Sequence, residues 1–254
     1  MNNLKKTYGN LKKSVLRLQN KVAGTKDYTK FAIVTRSRTG STLLTYLLNG
    51  HPNVMCKDEI FRDLGAQTSR EIWDNFFSFQ PKKIKYCGYK IFYYHPFSED
   101  KEVWDLMKKD PNFVIIHLTR KNYLEALLSQ KIGEKTRKWT ANSNNPDNFQ
   151  LEDKKVSISY QDCLATFEKI SNYEKNTKIT FKDKLFIEVD YSEILNDKQA
   201  VTNRLHTALQ LPKEKIETNI TKQNTEKITD LLINYYELKK QFEGTQWSYM
   251  FTED

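Results

Sequence analysis

Five short apolar runs constrain this chain more than any other feature: FAIVT at 31–35, NVMC at 53–56, CGYKIF at 87–92, FVIIHL at 113–118 and LFIEV at 185–189. Apolar runs of this kind suit strands buried on both faces. The stretches between them include LLTYLLNG at 43–50, stopped by Gly50 and Pro52, and helical patterns at 70–79 and 101–109. Strands alternating with helices predict an α/β fold, a central parallel sheet with helices on both faces. Further helices are expected at 198–209 and 226–242, a linker at 24–30, and an aperiodic loop at 134–155 around ANSNNPDN, close to the site the strand ends create. The 254 residues suit one such domain, placed at 31–254, behind a separate arm at 1–30. With 38% hydrophobic residues, 8 Gly and 6 Pro, the chain is outside the collagen-like and low-complexity classes.

The net charge is +9, and most of it is local. Residues 1–30 carry eight Lys or Arg against Asp27 alone, which is +7 and leaves +2 for the rest. Within that arm Leu4, Tyr8, Leu11, Val15, Leu18 and Val22 recur every three or four positions, the pattern of an amphipathic basic helix. Such a helix docks on its own domain, pairs with a second copy, or lies on an anionic membrane surface. Nucleic acid is not expected as a partner, because no reading motif accompanies the charge. No run nears 18 apolar residues and no apolar signal core opens the chain, so a cytoplasmic protein, at most peripheral to a membrane, is expected. The three cysteines, Cys56, Cys87 and Cys163, and the four histidines, His51, His95, His117 and His206, are scattered. Their spacing gives no disulfide framework and no metal site, and no metal is expected.

The segment Thr35-Arg36-Ser37-Arg38-Thr39-Gly40-Ser41-Thr42 joins the first strand to the first helix. Its N–H groups and hydroxyls face the positive end of that helix, where phosphate-like anions bind. Gly40 permits the close turn, Ser41 and Thr42 donate hydroxyls, and the arginines add fork-shaped donors. A triphosphate-binding loop reads G-x-x-x-x-G-K-[ST], and its first glycine and its lysine are both missing here, which disfavours a Mg-nucleotide kinase. Arg120 stands just past the strand at 113–118, where open α/β sheets bind ligands. Ser129, nine residues on, falls on the following helix and is able to meet the same anion.

With these segments in view the chain resembles the sulfotransferases that use 3′-phosphoadenosine 5′-phosphosulfate (PAPS), above all the bacterial branch acting on carbohydrates, such as the trehalose and Nod-factor enzymes. TRSRTGSTLL at 35–44 is similar to the family's 5′-phosphosulfate loop, and FVIIHLTRKNYLEALLSQKIG at 113–133 to its 3′-phosphate segment. Weaker matches are HPNVMCKDEIF at 51–61, GYKIFYYHP at 88–96, Trp139, and the stretch from Lys222 to Trp247. The resemblance implies a P-loop-like sulfotransferase fold, PAPS as co-substrate, and a carbohydrate or glycolipid hydroxyl as acceptor. It implies that Arg38, Thr39, Gly40, Ser41, Thr42, Arg120 and Ser129 hold the donor. Arg38 would take the place of a catalytic lysine, and Lys90 would contact the sulfonate. For the base it leaves two residues open, Glu59 in the position of a bacterial catalytic glutamate and His95 near the position of a cytosolic histidine.

Some residues carry more ordinary readings. His117 packs in its strand, His51 closes a turn before Pro52, and Tyr89, Phe92, Tyr93 and Tyr94 are core residues or stack on a ligand. Trp139 lines an acceptor pocket or packs in the core. Two rival functions remain at this level: a kinase using Asp190 at the end of LFIEVD as a metal ligand, and a non-catalytic scaffold acting through the arm.

Overall fold

The computed structural model describes residues 22–139, 149–216, 218 and 226–251. The basic arm up to residue 21, the centre of the 134–155 segment and Lys222 lie outside the described residues. All five apolar runs are strands: β1 at Thr29–Thr35, β2 at Val54–Lys57, β3 at Tyr86–Phe92, β4 at Val114–Thr119 and β5 at Phe186–Asp190. They form one sheet in the order β2-β3-β1-β4-β5, and every pairing is parallel. The helices are α1 at Ser41–Asn49, α2 at Ser69–Phe76, α3 at Glu102–Lys109, α4 at Tyr123–Thr136, α5 at Leu151–Lys154 and α6 at Tyr160–Thr180. After β5 come α7 at Tyr191–Asn196, α8 at Lys198–Ala208, α9 at Ile228–Leu231 and α10 at Tyr235–Gln241, with a 3-10 turn at Ser248–Phe251.

Strand alternation divides the core. Phe31 and Ile33 of β1 pack with Leu44, Leu47 and Leu205 on one face, and Ala32 and Val34 with Trp73, Tyr89 and Met107 on the other. All four β1 residues are fully buried, which is why the run shows no polar alternation. A third cluster joins α4, α6 and the C-terminal helices through Leu124, Leu127, Phe167, Leu238 and Phe242.

Three expectations are corrected. The stretch 24–30 is mostly not a linker: Thr25 pairs antiparallel with Gln80, and β1 begins at Thr29. The expected helix at 226–242 is two short helices, because Val156 inserts into its path, donating to the Leu231 carbonyl at 2.9 Å and accepting from Ile233 N–H at 2.9 Å. The 134–155 segment is not wholly irregular, since α4 runs on to Thr136 and α5 occupies Leu151–Lys154.

The sheet order also places a crevice. From β1 the chain turns to the β2 side and from β4 to the β5 side, so the loops after β1 and β4 leave neighbouring strands in opposite directions. Ligands of open α/β sheets bind at such a switch point, outside the carboxyl ends of the strands.

Candidate functional site

The two loops at the switch point are tied together from below. Thr35 donates its hydroxyl to the Leu118 carbonyl at 2.6 Å, and the Thr39 hydroxyl lies 2.7 Å from that of Thr35 and 2.9 Å from the Arg36 carbonyl. Gly40 is the N-cap of α1 in the left-handed region, φ 77°, and offers no side chain to cap the helix. The first N–H groups of α1 are therefore left for an anion. Arg38 is also left-handed, φ 66°, a conformation that costs a residue with a Cβ about 1–2 kcal/mol and concentrates at functional sites.

That backbone turn aims the Arg38 guanidinium across the crevice. It donates from Nε at 2.9 Å and from Nη2 at 2.7 Å to the Ser129 hydroxyl on α4, and from Nη1 at 2.5 Å to the Trp139 carbonyl. Arg120 donates to the Arg38 carbonyl at 3.1 Å, pairs with Glu125, and lies 4.9 Å over the ring of Tyr191. Burial, and then the charge of Arg120, push Arg38 down to about 10. Two guanidiniums so close, beside an uncapped helix start, suit a ligand with more than one negative charge.

The other end of the loop holds Lys90, in β3 and 3% exposed. Its ammonium is 3.1 Å from the Asp58 carboxylate and 3.1 Å from that of Glu59, and donates to the Thr42 hydroxyl at 3.4 Å. The Glu59 side chain is largely shielded and that of Asp58 largely exposed. Thus Arg38, Thr39, Gly40, Ser41, Thr42, Arg120 and Ser129 are assembled around one crevice, with Lys90 and Glu59 at its end through Thr42.

His95 is differently placed. Its ring is buried between Phe92, Tyr94 and Phe97, and Nδ1 accepts the Phe92 N–H at 3.3 Å. Burial first, then Arg62, Lys101 and Lys90, push it down to about 4. It is therefore neutral, and with Nδ1 already accepting, the proton sits on Nε2. His117 packs in β4 with Nε2 2.8 Å from the Tyr93 hydroxyl, and His51 turns the chain by accepting Asn53 N–H at 3.1 Å. Trp139 is half exposed, with the Arg38 guanidinium 5.9 Å from its ring centre. Asp190 caps α7, accepting from Ser192 N–H at 2.9 Å and Lys121 N–H at 3.1 Å, which occupies the carboxylate a kinase would give to a metal. Among the described residues no group of three His, Cys, Asp or Glu is arranged to hold a metal ion.

Three further residues lie beside these loops. Tyr191 presses its ring onto Gly40, so that a Cβ there would stand 2.3 Å from Cδ2. Arg36 is buried, gives Nη2 to Gln130 at 3.1 Å, and finds no hydrogen-bond partner for Nη1 among the described residues. Glu174 on α6 accepts from the Tyr123 hydroxyl at 2.7 Å. Arg36 lies in the anion loop itself but turns inward to Gln130, whereas nothing in local spacing marks Tyr191 or Glu174 as neighbours of that loop.

Glu174 makes stability pH-dependent. Burial raises it from 4.5 to about 7, against the hydrogen bond from Tyr123 and the charges of Lys178 and Arg36, and with Asp190 adding to the rise. Between those values the unfolded carboxyl is ionised while the folded one keeps its proton. Its contribution to stability is therefore full below pH 4.5 and is lost as pH rises through 7, at most about 3 kcal/mol. Glu174→Gln is expected to remove this slope and to raise stability at pH 8 by about 1–3 kcal/mol, read from urea midpoints at pH 5 and pH 8. A variant less stable than the parent at pH 8 would mean that the carboxylate is needed as counter-charge to Arg36.

No family model matches the sequence. It is 28% identical over 243 residues to Nodulation protein H of Rhizobium tropici, covering 88% of this chain and 93% of that one. It is 23% identical over 240 residues to Nodulation protein H of Rhizobium meliloti (strain 1021), covering 87% and 94%. Among solved structures, a sulfotransferase from Alicyclobacillus acidocaldarius aligns with 84% of this chain and 90% of its own, at 14% identity and a TM-score of 0.48. Over about nine-tenths of both chains this chain is similar in sequence to the Nodulation protein H proteins, and in its structure TRSRTGST and the Arg120 to Ser129 segment face each other across the switch point.

Proposed function

We propose that this chain is a sulfotransferase, that its sulfonate donor is PAPS and that the acceptor is a carbohydrate or glycolipid hydroxyl. The observation that carries the donor is the meeting of Arg38, Arg120 and Ser129 beside the uncapped start of α1. A bisphosphorylated nucleoside has two anionic ends, and this crevice has two sets of donors. The N–H groups of residues 39–42 and the hydroxyls of Ser41 and Thr42 would take the 5′ end, and Arg120 with Ser129 the 3′-phosphate. When bound, PAPS supplies a sulfonyl group on a phosphate leaving group.

The chain's own residues then have distinct tasks. Glu59 removes the proton of the acceptor hydroxyl as its oxygen bonds to sulfur. Lys90 and the α1 N-terminus meet the charge that develops on the phosphate oxygen as its bond to sulfur breaks. Arg38, held as a rigid fork by Ser129, adds a charge that stays at neutral pH, and so acts as an electrostatic group and not as an acid. His95 is not the base in this scheme, because its accepting nitrogen is already used.

Thermal unfolding with 3′,5′-adenosine bisphosphate, set against ADP with Mg²⁺, tests the donor. At 100 times its dissociation constant the bisphosphate is expected to add about 2.7 kcal/mol without metal, and Arg120→Ala to abolish most of that gain. Stabilisation by Mg-ADP alone would overturn the donor and favour a kinase.

A further inference from the structure

The loop after β3 carries a second feature, on the Glu59 side of the crevice. Phe97 is 62% exposed, yet its ring lies parallel to that of Tyr94, 8° between planes and 5.9 Å between centres. His95 stands edge-on to both, 5.2 Å from Tyr94 and 5.0 Å from Phe97. The Tyr94 phenol lies within the electrostatic reach of Ser37 and Arg36 in the anion loop and of Glu59. Phe97 N–H donates to the Arg62 carbonyl at 3.1 Å, and the Arg62 guanidinium is 5.8 Å from the Phe97 ring centre. These contacts bind the ring pair to the segment that carries Glu59.

The loop is also held rigidly. Lys101 donates to the carbonyls of Tyr94 and Pro96, and the Trp104 indole N–H donates to the His95 carbonyl at 2.8 Å. A lone exposed aromatic is ordinary on a protein surface. An exposed ring stacked on a second, wedged by a buried neutral imidazole and fastened by a lysine and a tryptophan, is prepared for contact at little ordering cost.

We propose that Tyr94 and Phe97 form the acceptor subsite, a stacked platform that seats the apolar C–H face of a neutral saccharide ring and turns one hydroxyl toward Glu59. Arg62, exposed at the rim, donates to the outer hydroxyls, and His95 is a positioning residue that keeps the two rings aligned. A saccharide fits this surface because a pyranose has one face of C–H groups and a rim of hydroxyls, matching an aromatic face bordered by a guanidinium and a carboxylate. The proposal rests on PAPS-dependent transfer to a carbohydrate, and the test separates the two.

Sulfonate transfer from labelled PAPS would be measured with cellotetraose, maltotetraose and N-acetylglucosamine tetramer for the parent, Phe97→Ala and Phe97→Trp. Binding of 3′,5′-adenosine bisphosphate to each serves as the fold and donor control. Phe97→Ala is expected to raise KM for the preferred saccharide by about tenfold or more, with kcat changed by less than about threefold, and Phe97→Trp to restore it. An unchanged KM in Phe97→Ala overturns the platform. Bisphosphate binding without turnover of any saccharide overturns the acceptor class while leaving the donor standing, and loss of bisphosphate binding in the parent overturns both.

Discussion

Glu59→Gln is expected to lower kcat for sulfonate transfer by about 10²–10⁴, with the affinity for 3′,5′-adenosine bisphosphate within about twofold of the parent. The substitution keeps the size of the side chain and one oxygen beside Lys90, now 3.1 Å away, but removes the carboxylate proposed to receive the acceptor proton. Asp58 also reaches Lys90 at 3.1 Å, so the ammonium keeps a counter-charge and the change reads as lost chemistry more than lost structure. His95→Gln should behave in the opposite way. With Nδ1 committed to Phe92 N–H and the ring packed under Tyr94 and Phe97, its loss is expected to appear mainly in the acceptor KM. Steady-state rates with labelled donor decide between the two. A Glu59→Gln enzyme within tenfold of the parent, or a larger kcat loss in His95→Gln, would return the base to the histidine.

Much of the architecture was legible because β1 and its neighbours are covered on both faces. Phe31 to Val34 are all fully buried, so the strand shows in the sequence as an unbroken apolar run between Lys30 and Thr35. The anion loop was legible for a different reason: a glycine, two arginines and five hydroxyl residues sit together between a strand and a helix. Helix α6 is hard to read from the sequence, although Cys163, Phe167, Ile170, Glu174 and Thr177 recur at intervals of three or four behind the Ser159 cap. Two members of that stripe are polar, which hid it from a count of apolar residues. The break between α9 and α10 was not legible at all, since a valine some 75 positions earlier causes it. The same limit applies to the site. Tyr191 over Gly40 and the commitment of His95 Nδ1 are tertiary facts with no local pattern, and the choice between Glu59 and His95 depends on the second of them.

The tightest constraint on the anion loop is Gly40, and Gly40→Ala is expected to abolish donor binding. Alanine at φ 77° costs about 1–2 kcal/mol on the backbone alone. Its Cβ would also stand 2.3 Å from Cδ2 and 2.4 Å from Cε2 of Tyr191, closer than real Cβ contacts come, and displacing a packed ring adds about 1–3 kcal/mol. The folded state should therefore lose about 2–5 kcal/mol, and the displaced ring is the one over which Arg120 lies. Both anion ends suffer together, one through the start of α1 and the other through Arg120. The affinity for 3′,5′-adenosine bisphosphate is expected to fall about 100-fold or more, measured by calorimetry at a temperature where the variant is folded. The partner of the clash provides the control. Tyr191→Ala alone should weaken bisphosphate binding through Arg120, and if the ring is the main obstacle the double variant Gly40→Ala/Tyr191→Ala should lose less stability than the two single changes together. Full additivity would assign the defect to the left-handed backbone, and bisphosphate binding by Gly40→Ala at the parent's affinity would remove the loop from the donor site.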